Sequence, residues 1–345
     1  MRIAFLSHLT VLAMLLMAAT AQAFDIESFK SYPADQPGQT LKIISTADTE
    51  LFAPLVLEYQ RQHPDVTIDY TTVSSTQLMR AIGLEQAKFD VAISSAMDLQ
   101  TKLANDGFTR AHKSAAVDLL PDWGRWRDHV FSFTQEPATI VISPVAFEGL
   151  DIPQSRQDLI TVLRNNPERF RDRVGTYDIR SSGLGYLFAT QDARTSDTFW
   201  RLAEVMGSLG IRLYCCSSDM IDDVRSGKIA VAYNVLGSYA AARVDLTDSI
   251  EIITPTDFTT LMLRSAVIPA NAENPVIAGS FIDYLIRSAW TSEGAEYYPF
   301  PKITTDGAVL IPSPRPIRLG PGLLVFLDDL KRRKFLKEWE NAVLQ

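Results

Sequence analysis

Histidine and cysteine are scarce in this chain of 345 residues, with four of the first and two of the second. The two cysteines, Cys215 and Cys216, are adjacent. A pair alone cannot complete a metal site, and no histidine adjoins it. It reads either as two small residues at the end of a strand or as a redox or soft-metal sensor. The motifs of common hydrolases are absent: there is no Gly-x-Ser-x-Gly elbow and no His-Glu-x-x-His. Beyond the first 23 residues only His63, His112 and His129 remain. His63 precedes Pro64 at a predicted helix end, where the dipole favours a cation, and the other two lie away from any predicted strand end. These absences speak against an enzyme, so no catalytic residue, metal or cofactor is expected. Positive charge is also in deficit, at a formal −8, which argues against a nucleic-acid partner. Net charge does not exclude an anionic ligand, because small anions are held by local dipoles. After Ala19 no apolar run is long enough to span a bilayer.

What is present begins with the first 23 residues. Arg2 is the sole charge before Asp25, the stretch from Ile3 to Ala19 is almost wholly apolar, and Ala21-Gln22-Ala23 has the small-x-small form of a cleavage site. This is the layout of a secretory signal peptide rather than of a membrane anchor. It predicts a chain exported to the periplasm that starts at Phe24. No cysteine follows the site, so a lipid anchor is not indicated. The remainder, with 46% hydrophobic and 21% charged residues, has globular composition and the length of two domains.

The elements alternate. Residues 24 to 40 read as a polar arm. Strands are predicted at 41–44, 66–72 and 90–93, with helices at 50–62 and 77–86 between them, the first stopped by Pro64. This is an α/β rhythm, expected to give a parallel sheet covered on both faces. A second α/β series follows the strand at 139–142. It has strands at 174–178, 212–214 and 229–233, and helices at 199–206, 219–226 and 235–242. The apolar stretch 260–268 is expected to carry the chain back to the first unit, and 331–344 reads as an amphipathic terminal helix. The expected division is 24–138 with 265–345 as one lobe and 139–264 as the other. Two α/β lobes joined by more than one crossing form a hinge-closing binder.

In open α/β sheets ligands sit beyond the carboxyl ends of the strands. Here those ends carry Ser45 and Thr46, Ser74 to Thr76, Ser94 and Ser95, Ser181 to Gly183, and Asn234. Nearly all are small hydroxyl residues or glycine, and nearly all precede a predicted helix. A helix N-terminus offers unpaired amide hydrogens and partial positive charge, and a serine there either caps its helix or turns to a bound anion. The expected site therefore holds an anionic group with Ser181, Ser182 and Gly183. Ser45, Thr46, Ser75 and Ser95 close from the other lobe, and Asp178 and Asn234 read ligand hydroxyls. The Ser181-Ser182-Gly183-Leu184-Gly185 cluster lacks the Gly-Lys-Ser/Thr end of a nucleotide-binding loop.

Four segments carry a family resemblance. They are Phe89-Asp90-Val91-Ala92-Ile93-Ser94-Ser95-Ala96-Met97-Asp98-Leu99-Gln100; Thr176-Tyr177-Asp178 with Ser182-Gly183-x-Gly185; Ala189-Thr190-Gln191-Asp192; and Ala232-Tyr233-Asn234-Val235-Leu236-Gly237-Ser238-Tyr239-Ala240. The chain resembles, over nearly all of residues 40 to 345, the extracellular solute-binding proteins of ABC importers. The resemblance is to the class of the ferric-ion binders and their hexose-phosphate and phosphoglycerate-binding relatives. It implies a two-lobed type II periplasmic binding protein fold and a cleft ligand, such as a sugar phosphate, a phosphoglycerate-like solute or a carboxylate. The ligand would be delivered to an inner-membrane permease by a monomer. In the phosphoglycerate branch it implies signalling to a sensor histidine kinase instead. The ferric binders use a histidine after the first strand and a Tyr-Tyr pair after an asparagine. Here Ser45-Thr46-Ala47-Asp48-Thr49 holds no histidine, and Val235, Leu236 and Gly237 follow Asn234. Leu and Gly supply no oxygen ligand for a hard cation. Iron held through a bound anion stays open as an alternative.

Overall fold

The computed structural model describes residues 24–246, 248–291, 296–301, 303 and 311–345. The proposed signal peptide lies outside them. Two mixed sheets organise the chain. The first runs in the order Ser28–Tyr32, Val66–Thr72, Gln39–Ser45, Val91–Ser94, Ser265–Pro269, Val130–Ser132, Arg125–Trp126. Gln39–Ser45 lies parallel to both of its neighbours. Its Leu41, Ile43 and Ile44 are fully buried, as expected of a strand covered on both faces. The second sheet runs Arg212–Tyr214, Val174–Tyr177, Val231–Leu236, Glu136–Ile142, Thr259–Met262, Pro314–Pro316. Val174–Tyr177 is parallel to its neighbours, and Glu136–Ile142 runs antiparallel to Val231–Leu236.

The apolar stretch expected to return the chain to the first unit is two strands, not one. Thr259–Met262 belongs to the second sheet and Ser265–Pro269 to the first. The chain crosses between sheets at Leu263 and Arg264, beside the opposite crossing at 133–135. The residues read as an N-terminal arm also contain a strand. Ser28–Tyr32 pairs antiparallel with Val66–Thr72; its mostly exposed edge position hid it from a burial pattern.

Helices cover both sheets. Thr49–Gln62 and Pro275–Trp290 pack Phe52, Tyr59, Phe281 and Leu285 against the first. Arg156–Asn165 and Thr198–Ser208 pack Leu159, Leu163, Leu202 and Met206 against the second. The predicted helix 77–86 is shorter in its α-part, Ser75–Met79, and finishes as a wider turn over Arg80–Leu84.

The placement of 265–345 in one lobe needs correction at its end. Pro314–Pro316 pairs with the second sheet, and the terminal helix Asp329–Val343 packs on the second lobe. Its Phe335 and Trp339 are buried with Phe199 and Ala203. The apolar face of that helix finds its complement in the aromatic surface of Thr198–Ser208, where Phe335 stacks on Phe199 at 6.3 Å between centroids.

Candidate functional site

Where the carboxyl ends of the two sheets face each other they enclose a cavity of about 190 Å³. Its walls come from both lobes. Glu27, Thr46, Asp48, Ser74, Ser75, Thr76 and Ser95 belong to the first, and Tyr177, Ser181, Ser182, Cys215 to Ser218 and Tyr239 to the second. Four helices of nine or more residues begin at this cavity: Thr49–Gln62 after Asp48, Met97–Asn105 after Ala96, Gly183–Thr195 after Ser182, and Ser217–Arg225 after Cys216. Each directs the positive end of its dipole toward the enclosed space.

The lobes touch directly across the cleft. Gly183 N donates to Ser75 Oγ at 2.9 Å. Thr76 Oγ1 donates to the Ser181 carbonyl at 3.0 Å, and Asp48 N donates to Tyr239 Oη at 3.2 Å. The Asp48 carboxylate accepts from Ser218 Oγ at 2.5 Å. Asp48 occupies the N-cap position of Thr49–Gln62 yet makes no capping bond with its side chain, because that side chain is committed to the opposite lobe. The structure is thus a closed form. In it the Ser75 hydroxyl oxygen accepts from the first amide of the helix Gly183–Thr195 across the cleft.

Of the residues expected at the site, Thr46, Ser75, Ser95, Ser181 and Ser182 line one cavity. Gly183 stands at its edge through the bond to Ser75. Three expected residues face elsewhere. Ser45 is fully buried, and its Oγ accepts from Ala47 N at 3.0 Å and from Tyr70 Oη at 2.7 Å. Asp178 turns back on Arg180, accepting from Nε at 2.8 Å and Nη2 at 2.7 Å; the ion pair satisfies its charge locally. Asn234, at φ 64°, gives its amide to Asp192 Oδ2 at 3.0 Å inside the second lobe. Asn234 lies inside the strand Val231–Leu236 rather than at its end, at a bulge between Tyr233 and Val235, and its side chain turns into the core.

Sequence reasoning missed Glu27, Ser217, Ser218, Tyr239 and the cysteine pair as lining residues. Ser217 and Ser218 follow the strand Arg212–Tyr214 and satisfy the same strand-end rule; the adjacent cysteines drew the attention. Glu27 had no signal, since it lies in the segment taken as an arm. The cysteines form a disulfide.

The charge balance of the lining is acidic. Glu27 and Asp48 line the cavity, and no lysine or arginine does so among the described residues. Asp219 stands next to the cysteines, with its Oδ2 3.5 Å from Cys215 Sγ. Burial, with Asp48 and Asp219 nearby, pushes the Glu27 carboxyl above its ordinary value. Burial also raises Asp219, reinforced by Asp222, Asp223 and Asp48. The histidines lie elsewhere: His112 bonds Asp283 at 2.8 Å and His129 bonds Thr109 at 2.7 Å.

Two α/β lobes, paired crossings and a polar cavity at facing strand ends define a two-lobed binding protein of type II periplasmic architecture. Residues 44–291 match the family model of the bacterial extracellular solute-binding proteins, and the chain belongs to that family. A substrate-binding protein of an ABC transporter from Agrobacterium tumefaciens is similar at 29% identity and a TM-score of 0.86. The match covers 92% of this chain and 98% of that one. AfuA from Actinobacillus pleuropneumoniae, a periplasmic binding protein solved with fructose-6-phosphate, matches at 15% identity and a TM-score of 0.71, over 88% and 98% of the two chains. Iron-bound HitA from Pseudomonas aeruginosa matches at 16% and 0.63, over 88% and 99%. The last two share the fold. No curated protein sequence matches the chain. Among the described residues no helix is long and apolar enough to cross a membrane.

Proposed function

We propose that this chain is an exported capture subunit that closes its two lobes around a small hydroxylated organic anion of the sugar-phosphate class and hands it to an inner-membrane ABC permease. The observation that carries the reading is the meeting of four helix N-termini from two lobes at one hydroxyl-lined cavity. Amide hydrogens and serine hydroxyls at such ends replace the water shell of an anionic group. The Ser75, Ser182 and Gly183 edge offers that chemistry. The Glu27 and Asp48 side offers acceptors for ligand hydroxyls. AfuA, which shares the fold, was solved with a sugar phosphate. Lobe closure creates the surface that a permease reads, and a sensor kinase would read the same change.

The test is calorimetric titration with hexose 6-phosphates and the matching neutral hexoses. The phosphorylated solute is expected to bind more tightly. Ser182→Asp, which places a like charge at the anion edge, is expected to weaken it about 100-fold or more. Unchanged affinity in that variant removes the reading.

A second reading rests on the acidic lining. Glu27 and Asp48, with no lysine or arginine among the described lining residues, favour a solute that carries an amino group. The two readings separate in Glu27→Gln: the variant binds an anionic solute more tightly and an aminated one less tightly than the parent chain.

A further inference from the structure

Solute capture as described above makes no use of the cysteine pair, yet both residues stand in the cavity wall. We propose that Cys215, Cys216 and Asp219, once the disulfide is reduced, hold a thiophilic divalent cation such as Zn2+ or Cd2+ in the cleft. One sulfur from each cysteine and one carboxylate oxygen of Asp219 all lie within 4.8 Å of one another. Local folding explains the cluster. Cys216 is the N-cap of Ser217–Arg225 and makes no capping bond with its side chain. Asp219 is the third residue of that helix, a position from which a carboxylate reaches back over the helix start.

The surroundings favour a cation. Glu27 and Asp48 add negative charge around Asp219, while the neighbouring Asp222 and Asp223 are paired with Arg243 at 3.0 Å and Lys228 at 2.6 Å. Thiolates select soft and borderline cations over Mg2+ or Ca2+. Cys215 is exposed in the closed form, so a reductant reaches it.

The chemistry balances with a dithiol as the reductant. The dithiol passes two electrons to the S–S bond, which opens to two thiols as the reductant closes its own disulfide. The cation then releases two thiol protons to water and is held by two thiolates and one carboxylate. The oxidised pair has no thiolate to give, so the redox state of the chain switches the site. A bound cation occupies part of the wall that the solute faces.

The test uses the full chain, reduced with dithiothreitol, desalted without oxygen and titrated with Cd2+ in the absence of any solute. The ultraviolet thiolate-to-Cd2+ absorption reports occupancy. Saturation at about one equivalent is expected for the reduced chain and no band for the oxidised one. Asp219→Asn is expected to weaken Cd2+ by about tenfold or more, and Cys215→Ser and Cys216→Ser to lose the band with circular dichroism unchanged. No band in reduced, folded protein overturns the proposal. So does unfolding on reduction, and so does unchanged affinity in Asp219→Asn. The solute reading is tested separately, by sugar-phosphate titration of the oxidised chain.

Discussion

Asp48 is held twice by the second lobe, through its carboxylate to Ser218 Oγ at 2.5 Å and through its amide to Tyr239 Oη at 3.2 Å. The first bond joins the start of Thr49–Gln62 to the start of Ser217–Arg225, so it exists only when the lobes are shut. A hydrogen bond to a charged partner is worth about 1.5–3 kcal/mol, and partial exposure of this pair argues for the lower end. Ser218→Ala is therefore expected to shift the equilibrium toward the open form by about tenfold. Small-angle scattering of the free protein reads this as a larger radius of gyration, and an unchanged radius refutes the assignment.

Gly183 is a second point of closure. A Cβ there would stand 2.7 Å from Ser75 Oγ and 2.7 Å from Leu99 Cδ1, both on the opposite lobe. Neither neighbour belongs to the unit that holds Gly183. Gly183→Ala should therefore leave the second lobe folded and obstruct docking of the two. The expected result is a melting temperature of the free protein close to that of the parent, with most of the solute-induced stabilisation lost. Saturating solute normally adds about 2.7 kcal/mol at 100 times its dissociation constant. Differential scanning calorimetry with and without solute measures both quantities.

The alternation of strands and helices was legible where a short apolar strand runs into a serine-bearing helix start, as at Gln39–Ser45, Val91–Ser94 and Val174–Tyr177. Thr46, Ser75, Ser95, Ser181 and Ser182 followed from that rule and do share a cavity. Ser45 and Asp178 obey the same rule and point away, and Asn234 lies at a bulge inside its strand, which runs on to Leu236. The difference lies in one backbone angle or one local partner, such as the left-handed φ at Asn234 or Arg180 next to Asp178. No periodicity encodes either. Asp48 was inside the recognised segment, but its role depends on Ser218, 170 residues away. The position of Glu27 likewise depends on an edge strand whose side chains are mostly solvated.

At the crossings, Arg264 and Glu136 are fully buried and paired, with Nε to Oε1 at 3.0 Å and Nη2 to Oε2 at 3.2 Å. Thr134 and Ser238 donate to the same carboxylate, and Phe133 N bonds the Arg264 carbonyl at 3.0 Å. The pair thus ties the two crossings together at the hinge. Removing one buried partner strands the other charge and costs about 3–5 kcal/mol, whereas replacing both by apolar residues is often near neutral. Glu136→Gln alone should lower the urea midpoint sharply, and Glu136→Met with Arg264→Met should recover most of it. Equal losses in the single and double variants would show that the pair itself is the source of stability.

Asp98 gives the fold a pH dependence of known sign. It is buried in the first turn of Met97–Asn105, accepts from Leu99 N at 2.9 Å, and is pushed by burial from 3.8 to about 7. An acid raised in the folded state stabilises that state while protonated. The contribution is complete below about pH 4, where the unfolded chain also carries the proton, and is lost as pH rises through about 7. Each unit of difference corresponds to about 1.4 kcal/mol, so the loss amounts to a few kcal/mol between acid and mildly alkaline conditions. Asp98→Asn keeps an acceptor for the Leu99 amide and carries no charge. Its denaturation midpoint should match the parent near pH 4 and exceed it increasingly toward pH 8. Parallel midpoint-against-pH curves for the two proteins would mean that the Asp98 carboxyl ionises in the folded chain as freely as in water.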